Sequence, residues 1–178
     1  MAPSATPMPI VICVSVLDNV DAPLICGFGM SADACHITQP SALGAARSMR
    51  AAIRDAGWTP EQVDYINAHG TATLANDVTE AAAIAQVFGA HRPAVSSTKS
   101  MHGHALGAGG ALEAAATVLA LYEGVLPPTA NFNLRDPEID LDLIANEARH
   151  VQVERAISNS FAFGGLNAVL ALRATKQQ

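Results

Sequence analysis

The chain has 178 residues, with ten Lys and Arg against sixteen Asp and Glu, for a formal net charge of −6. Half of it is hydrophobic and 15% is charged, which excludes a disordered, collagen-like or disulfide-dense chain. The acidic balance argues against nucleic-acid binding, because few cations are present to neutralise a run of phosphates.

In chain order, Met1 to Pro9 carries three prolines and reads as a loose leader. Ile10 to Leu17 reads either as a strand or as an unstructured apolar tail. No basic stretch precedes its apolar residues, so a signal peptide is not expected. No run reaches the ~20 apolar residues of a membrane span. Pro23 to Phe28 is a short buried strand closed by Gly27 and Gly29. Pro40 and Ser41 open a helix in which Ala45, Met49, Ala52, Ile53 and Ala56 share a face, and Gly57 ends it. Val63 to Asn67 is the next strand, rich in β-branched and aromatic residues. Asn76 or Asp77 caps a helix to about Val87, closed by Gly89. Ala94 to Ser96 is a very short strand. A glycine-rich loop from Lys99 to Gly110 leads to an apolar helix over Ala111 to Tyr122. Thr129 to Arg149 is a long irregular connection, expected to be functional or packed. Arg155 to Phe161 and Leu166 to Arg173 are two strands around Gly164 and Gly165. The expected organisation is an atypical leader over 1–22, one folded domain over 23–173 and a polar tail over 174–178. Strands alternating with helices give an α/β layered domain with a buried mixed sheet.

Three clusters carry possible chemistry. Asn67-Ala68-His69-Gly70-Thr71-Ala72-Thr73 follows a strand, where active-site side chains commonly lie; a turn or capping histidine is the competing reading. Ser96 to His104 gathers Lys99, His102 and His104, with Glu113 beyond them in the helix. It is not a phosphate loop, because its glycines follow the lysine. His102 and His104 lack a third metal ligand, so no metal site is expected. Ser158 to Asn167 places Phe161 and Phe163 before paired glycines, as a small concave site or as a plain hairpin with core phenylalanines. Cys13, Cys26 and Cys35 fit no zinc spacing, and an odd count argues against a disulfide framework.

Together these segments resemble the C-terminal half of a β-ketoacyl-[acyl-carrier-protein] synthase, a condensing enzyme of thiolase-like fold. The residues that carry the resemblance are Asn67 to Thr73, Lys99 to Ala108 with Glu113, Ser158 to Asn167, and Asp33 to Pro40. It spans about Leu24 to Leu172, in order and at family spacing. The resemblance implies a thiolase-like half with a five-stranded mixed sheet between helical layers. It also implies decarboxylative Claisen condensation of acyl and malonyl thioesters, in fatty-acid or polyketide synthesis. His69 and His104 would donate to the thioester oxygen as CO₂ leaves. Lys99 and Glu113 would orient them. Phe161 would gate the site and lend its backbone N–H to the oxyanion hole. Gly164 and Gly165 would let that loop move, and Thr71 and Thr73 would hold the pantetheine arm. No resident cofactor is implied, the phosphopantetheine arriving on the acyl carrier protein.

The departures matter as well. The family's nucleophilic cysteine belongs to the N-terminal half, and no matching segment exists in this chain. The expected partners are therefore an acyl carrier protein and the N-terminal synthase half or a second subunit, in a cytoplasmic oligomer without nucleic acid. The alternative is a non-catalytic fragment or a subunit that only binds carrier protein. A thiolase is disfavoured by the lack of a cysteine near Phe161 to Asn167. Ala162 stands where glycine is usual, and His102 where threonine is usual, the latter without effect expected on the core roles. Arg47, Arg50 and Arg54 share a helix face, as a carrier docking patch or a solvated face; Arg92, Lys99 and Arg149 are further candidates for such a patch.

Overall fold

The computed structural model describes residues 22–34 and 36–175. The expectations for Ile10 to Leu17, Cys13, Cys35, nearly all of the leader and the end of the polar tail lie outside the described residues.

The first strand, β1 (Leu24–Ala32), is followed by helix α1 (Ala42–Asp55). The Ser41 hydroxyl caps α1 by accepting the Gly44 N–H. Its exit is a glycine turn. Gly57 sits at φ +72, while the Gly57 and Trp58 N–H groups reach back to the Arg54 and Ile53 carbonyls. Ala45, Met49, Ala52 and Ile53 form its buried face, as their spacing requires. Small residues let α1 lie close on β1, since a Cβ on Gly27 would come within 2.5 Å of the Ala52 carbonyl oxygen.

Strand β2 (Tyr65–Asn67) is buried throughout. Helix α2 (Leu74–Phe88) follows and ends at Gly89. Its cap is Thr73, which accepts the Asn76 N–H, and not Asn76 or Asp77. The helix starts earlier than expected because the threonine is the first residue able to fold its oxygen over the exposed amides. Strand β3 (Ala94–Ser96) leads into a one-turn helix, α3 (Lys99–His102). A 3₁₀ turn at Leu106–Ala108 then joins the long helix α4 (Gly109–Glu123). The stretch expected to be an open glycine-rich loop is thus mostly helical turns.

After α4 come β4 (Val125–Leu126), β5 (Asp142–Leu143), β6 (Arg149–His150), β7 (Arg155–Ala162) and β8 (Leu166–Arg173). The sheet has six strands in the order β1-β8-β7-β2-β3-β5, where five were expected. The sixth, β5, lies within the connection expected to be irregular and pairs with β3 in parallel. It forms because β3 offers an otherwise unpaired edge, which costs if left open. β4 and β6 make a separate two-stranded ribbon.

In this sheet β5, β3, β2 and β7 run parallel, β8 turns back antiparallel to β7, and β1, antiparallel to β8, runs in the direction of β7 again. On one face, α1 and α2 cover a core of Met49, Ile53, Ile84, Phe88, Ile66, Val95 and Ile157. On the other, α4 contributes Ala120 and Leu121 to a core with Tyr65, Leu126, Ile144 and Leu172. The mixed sheet between helical layers is as expected. No helix among the described residues is long and apolar enough to cross a membrane. With three parallel strands at its centre, the carboxyl edge of the sheet gathers the loops after β2, β3 and β7 at one place.

Candidate active site

His69 stands two residues beyond β2 and is 6% exposed. Its loop is clamped from below by Glu80 of α2. One carboxylate oxygen of Glu80 accepts the His69 N–H and the other the Gly70 N–H, each at 2.9 Å. Asn159 of β7 donates to the same carboxylate at 2.9 Å, and Asn76 approaches at 3.5 Å. Burial pushes the Glu80 carboxyl up, and these donors pull against it. The Ser97 hydroxyl donates to the Gly70 carbonyl at 2.9 Å. Gly70 sits at φ +35, with room for no Cβ beside Ser97. Sequence reasoning missed Glu80, and it gave Asn159, within the Ser158 to Asn167 cluster, no role of its own.

Lys99 opens α3 and is buried. Its ammonium reaches His69 Nδ1 at 3.2 Å and pairs with the Glu113 carboxylate, which α4 presents on its buried stripe. Burial raises the Glu113 carboxyl, and the hydrogen bond and charge of Lys99 oppose this. Glu113 Oε2 and Asn159 Oδ1 are buried without a hydrogen-bond partner. Burial, reinforced by the charge of Lys99, pushes the His69 imidazole down to about 3. His69 is therefore neutral at ordinary pH. An ammonium has only protons to give, so Nδ1 accepts and the ring proton sits on Nε2.

His104 shows the same arrangement. The Leu106 N–H donates to its Nδ1 at 3.2 Å, which leaves Nε2 to carry the proton of the neutral ring. The turn that makes this bond holds Leu106 at φ +49, and Ala72 beside His69 sits at φ +59. Strained backbone thus flanks both histidines. The two rings lie edge to face with centroids 5.5 Å apart. Two N–H donors side by side at a cleft can stabilise negative charge growing on one oxygen.

Phe161 is buried in β7 and packs on His69 at 5.5 Å between centroids. Phe161, the residue expected to gate the site, is thus held in the core against His69. Phe163, in contrast, is 74% exposed on the turn that follows. That turn holds Gly164 at φ +79 and Gly165 at φ +74. It leans on the segment after β1. The Gly164 N–H donates to the Ile37 carbonyl, the Asp33 N–H to the Gly165 carbonyl, and Asn167 donates to Asp33 Oδ1 at 2.9 Å. Thr71 and Thr73 lie 3.0 Å apart through their hydroxyls.

A cleft of about 540 Å³ opens among these groups. His69, His104, Lys99, Glu113, Thr71, Thr73, Phe161 and Gly165 all line it, and of the expected site residues Gly164 does not. Cys26, on β1, does not line it either. Among the described residues no group of three or more His, Cys, Asp and Glu is arranged to hold a metal ion. Of the cations considered for docking, Arg92 is paired with Asp140 and Arg149 with Asp142, while Lys99 is buried.

The chain is similar to known proteins over most of its length. Nodulation protein E of Rhizobium meliloti is 53% identical over 151 residues, which are 84% of this chain and 38% of that protein. The 3-oxoacyl-[acyl-carrier-protein] synthase 2 of Coxiella burnetii is 53% identical over 152 residues, 83% of this chain and 37% of its own length. Among solved structures, the ishigamide ketosynthase/chain length factor superposes with a TM-score of 0.86 at 45% identity, covering 89% of this chain and 39% of that one. The chain thus spans less than two fifths of the length of these relatives. The family model for the C-terminal domain of β-ketoacyl synthases matches residues 23–133, which include the His69, Lys99 and His104 loops and Glu113. With that match over more than half of its length, the chain belongs to the β-ketoacyl synthase C-terminal domain family.

Proposed function

We propose that this chain supplies the decarboxylating part of a β-ketoacyl-[acyl-carrier-protein] synthase. The observation that carries the reading is the matched pair of histidines. Each has its Nδ1 occupied by a donor, so each keeps an Nε2–H for the same substrate oxygen. As the C–C bond to the malonyl carboxylate breaks, its electron pair moves onto the thioester oxygen and CO₂ departs. The two Nε2–H groups stabilise the enolate that results. Lys99 fixes the tautomer of His69, and Glu113 balances the Lys99 charge. The enolate carbon then attacks an acyl group held as a thioester on a cysteine, and the thiolate leaves. We assign that nucleophile to an N-terminal half or a second subunit, because the segment that carries it in the family has no match in this chain.

Thr71 and Thr73 suit the pantetheine arm, since their hydroxyls lie on the cleft wall. The gating role, and the oxyanion N–H with it, belongs to Phe163, which is exposed on a glycine turn. The docking surface for an acyl carrier protein draws on Arg47 and Arg54 of α1. We place the reaction in the cytoplasm, in an oligomer.

The full chain, mixed with a cysteine-bearing half and with acyl- and malonyl-carrier protein, is expected to form β-ketoacyl product only when both halves are present. Product formed without the second half would contradict the division of labour. A second reading, a subunit that binds carrier protein without turnover, is favoured by the same missing thiol. It is the outcome if carrier protein binds and neither CO₂ nor product appears.

A further inference from the structure

His102 has both ring nitrogens engaged. Nδ1 lies 2.7 Å from the Gly103 carbonyl oxygen and Nε2 lies 3.2 Å from Thr98 Oγ1. A carbonyl can only accept, so Nδ1 carries the proton of the neutral ring. Nε2 then accepts, and the Thr98 hydroxyl proton points at it. His102 therefore takes the opposite tautomer to His69 and His104.

The Thr98 hydroxyl is buried and has one proton but two acceptors, because Asn67 Oδ1 also lies 3.3 Å away. When His102 gains a second proton, Nε2–H donates to Thr98. The Thr98 proton then has one acceptor left and turns to Asn67. Asn67 ends β2, two residues before His69, and its Nδ2, itself 3.3 Å from the Thr98 hydroxyl, donates to the Glu113 carbonyl and the Thr117 hydroxyl, each at 3.1 Å. A chain of hydrogen bonds thus runs from the exposed His102 through two buried side chains to the helical turn that presents Glu113.

We propose that His102 is a positioning residue, and that its protonation, passed through Thr98 and Asn67, holds Glu113 in its charged, Lys99-bound form as pH falls. The charge on His102 acts in the same direction, since it lowers the Glu113 carboxyl against the effect of burial. The titratable groups around His102 are Lys99 on its own helix, Glu113 on α4, His104 on the following loop and His69 beyond β2. The inference on activity rests on the decarboxylase reading, but its first test does not.

Imidazole ¹⁵N spectra of the full chain are expected to show the Nδ1–H tautomer for His102 and the Nε2–H tautomer for His69. In the His102→Gln variant, the ¹³C titration of the Glu113 carboxyl is expected to move up by about half a pH unit or more. A Thr98→Ser variant, which keeps the hydroxyl, leaves the wild-type titration in place. An Nε2–H tautomer for His102, or an unmoved Glu113 titration in His102→Gln, overturns the proposal. With the cysteine-bearing half added, the acid limb of CO₂ release is expected to shift upward in His102→Gln by the same amount. Active protein with an unshifted limb also overturns it. Absence of CO₂ from every protein instead overturns the decarboxylase reading, while the titration decides the role of His102.

Discussion

At the residue scale, the site is held by groups buried in the core. Glu80 accepts two successive backbone N–H groups and an Asn159 amide from inside the core. In Glu80→Gln one acceptor oxygen becomes a donor facing a donor. Leaving one buried N–H unpaired costs about 1–3 kcal/mol. The variant is therefore expected to lower the unfolding free energy from urea denaturation by that amount and to loosen the His69 loop in hydrogen exchange; an unchanged unfolding free energy would contradict the clamp. His69 itself links stability to pH. Its imidazole stays neutral in the fold down to about 3, whereas the unfolded chain takes up the proton near 6.5. Between those values the unfolded state binds more protons, so acidification removes up to about 1.4 kcal/mol of stability per pH unit. Glu80 and Glu113, both raised by burial, contribute the opposite slope, and they are present in wild type and variant alike. Wild type is expected to lose about 1–2 kcal/mol more than His69→Gln between pH 7 and pH 5, by urea denaturation. Equal losses would show that His69 is not buried as a neutral ring.

At the scale of elements, the loops after β2 and β7 depend on glycine. At Gly70 a Cβ would lie 2.5 Å from the Ser97 Cβ, on a backbone of φ +35. Gly70→Ala is expected to cost about 3 kcal/mol, and to displace the His69 loop. Gly164→Ala meets open space but keeps φ +79, so its cost is only about 1–2 kcal/mol, with the main effect on motion of the Phe163 turn. A Gly164→Ala cost as large as that at Gly70 would contradict this division. How much of this was legible follows from the same elements. His69, Lys99 and His104 stand in short contiguous patterns with their glycines, and α1 shows its apolar spacing plainly. Glu80 was not legible, because a glutamate inside a helix looks like any solvated residue until the loop it clamps is in place. The choice between Phe161 and Phe163 was also hidden. Both lie on the same side of an alternating strand pattern, and only the end of β7 at Ala162 separates the buried ring from the exposed one. β5 was missed because its two residues have no strand signal of their own, only the edge of β3 to join.

At the scale of the whole molecule, the second face of the sheet is incompletely covered. Leu119 of α4 is 60% exposed and Met30 of β1 is 59% exposed, with Phe28, Leu112, Tyr122 and Leu166 also exposed. Such apolar surface is an interface or an aggregation liability. The relatives, more than twice as long, contain the rest of a larger molecule. The full chain alone is expected to elute from a sizing column above the position of an 18.4 kDa monomer, and Leu119→Glu to move it back. A clean wild-type monomer would show that this face needs no cover. The account stands or falls, however, on the paired histidines. The deciding measurement is CO₂ release from malonyl-carrier protein by the chain assembled with a cysteine-bearing half, in wild type, His69→Ala and His104→Ala. Loss of either donor is expected to slow release by about 100-fold or more. Release at the wild-type rate in either variant would contradict the assignment of the cleft.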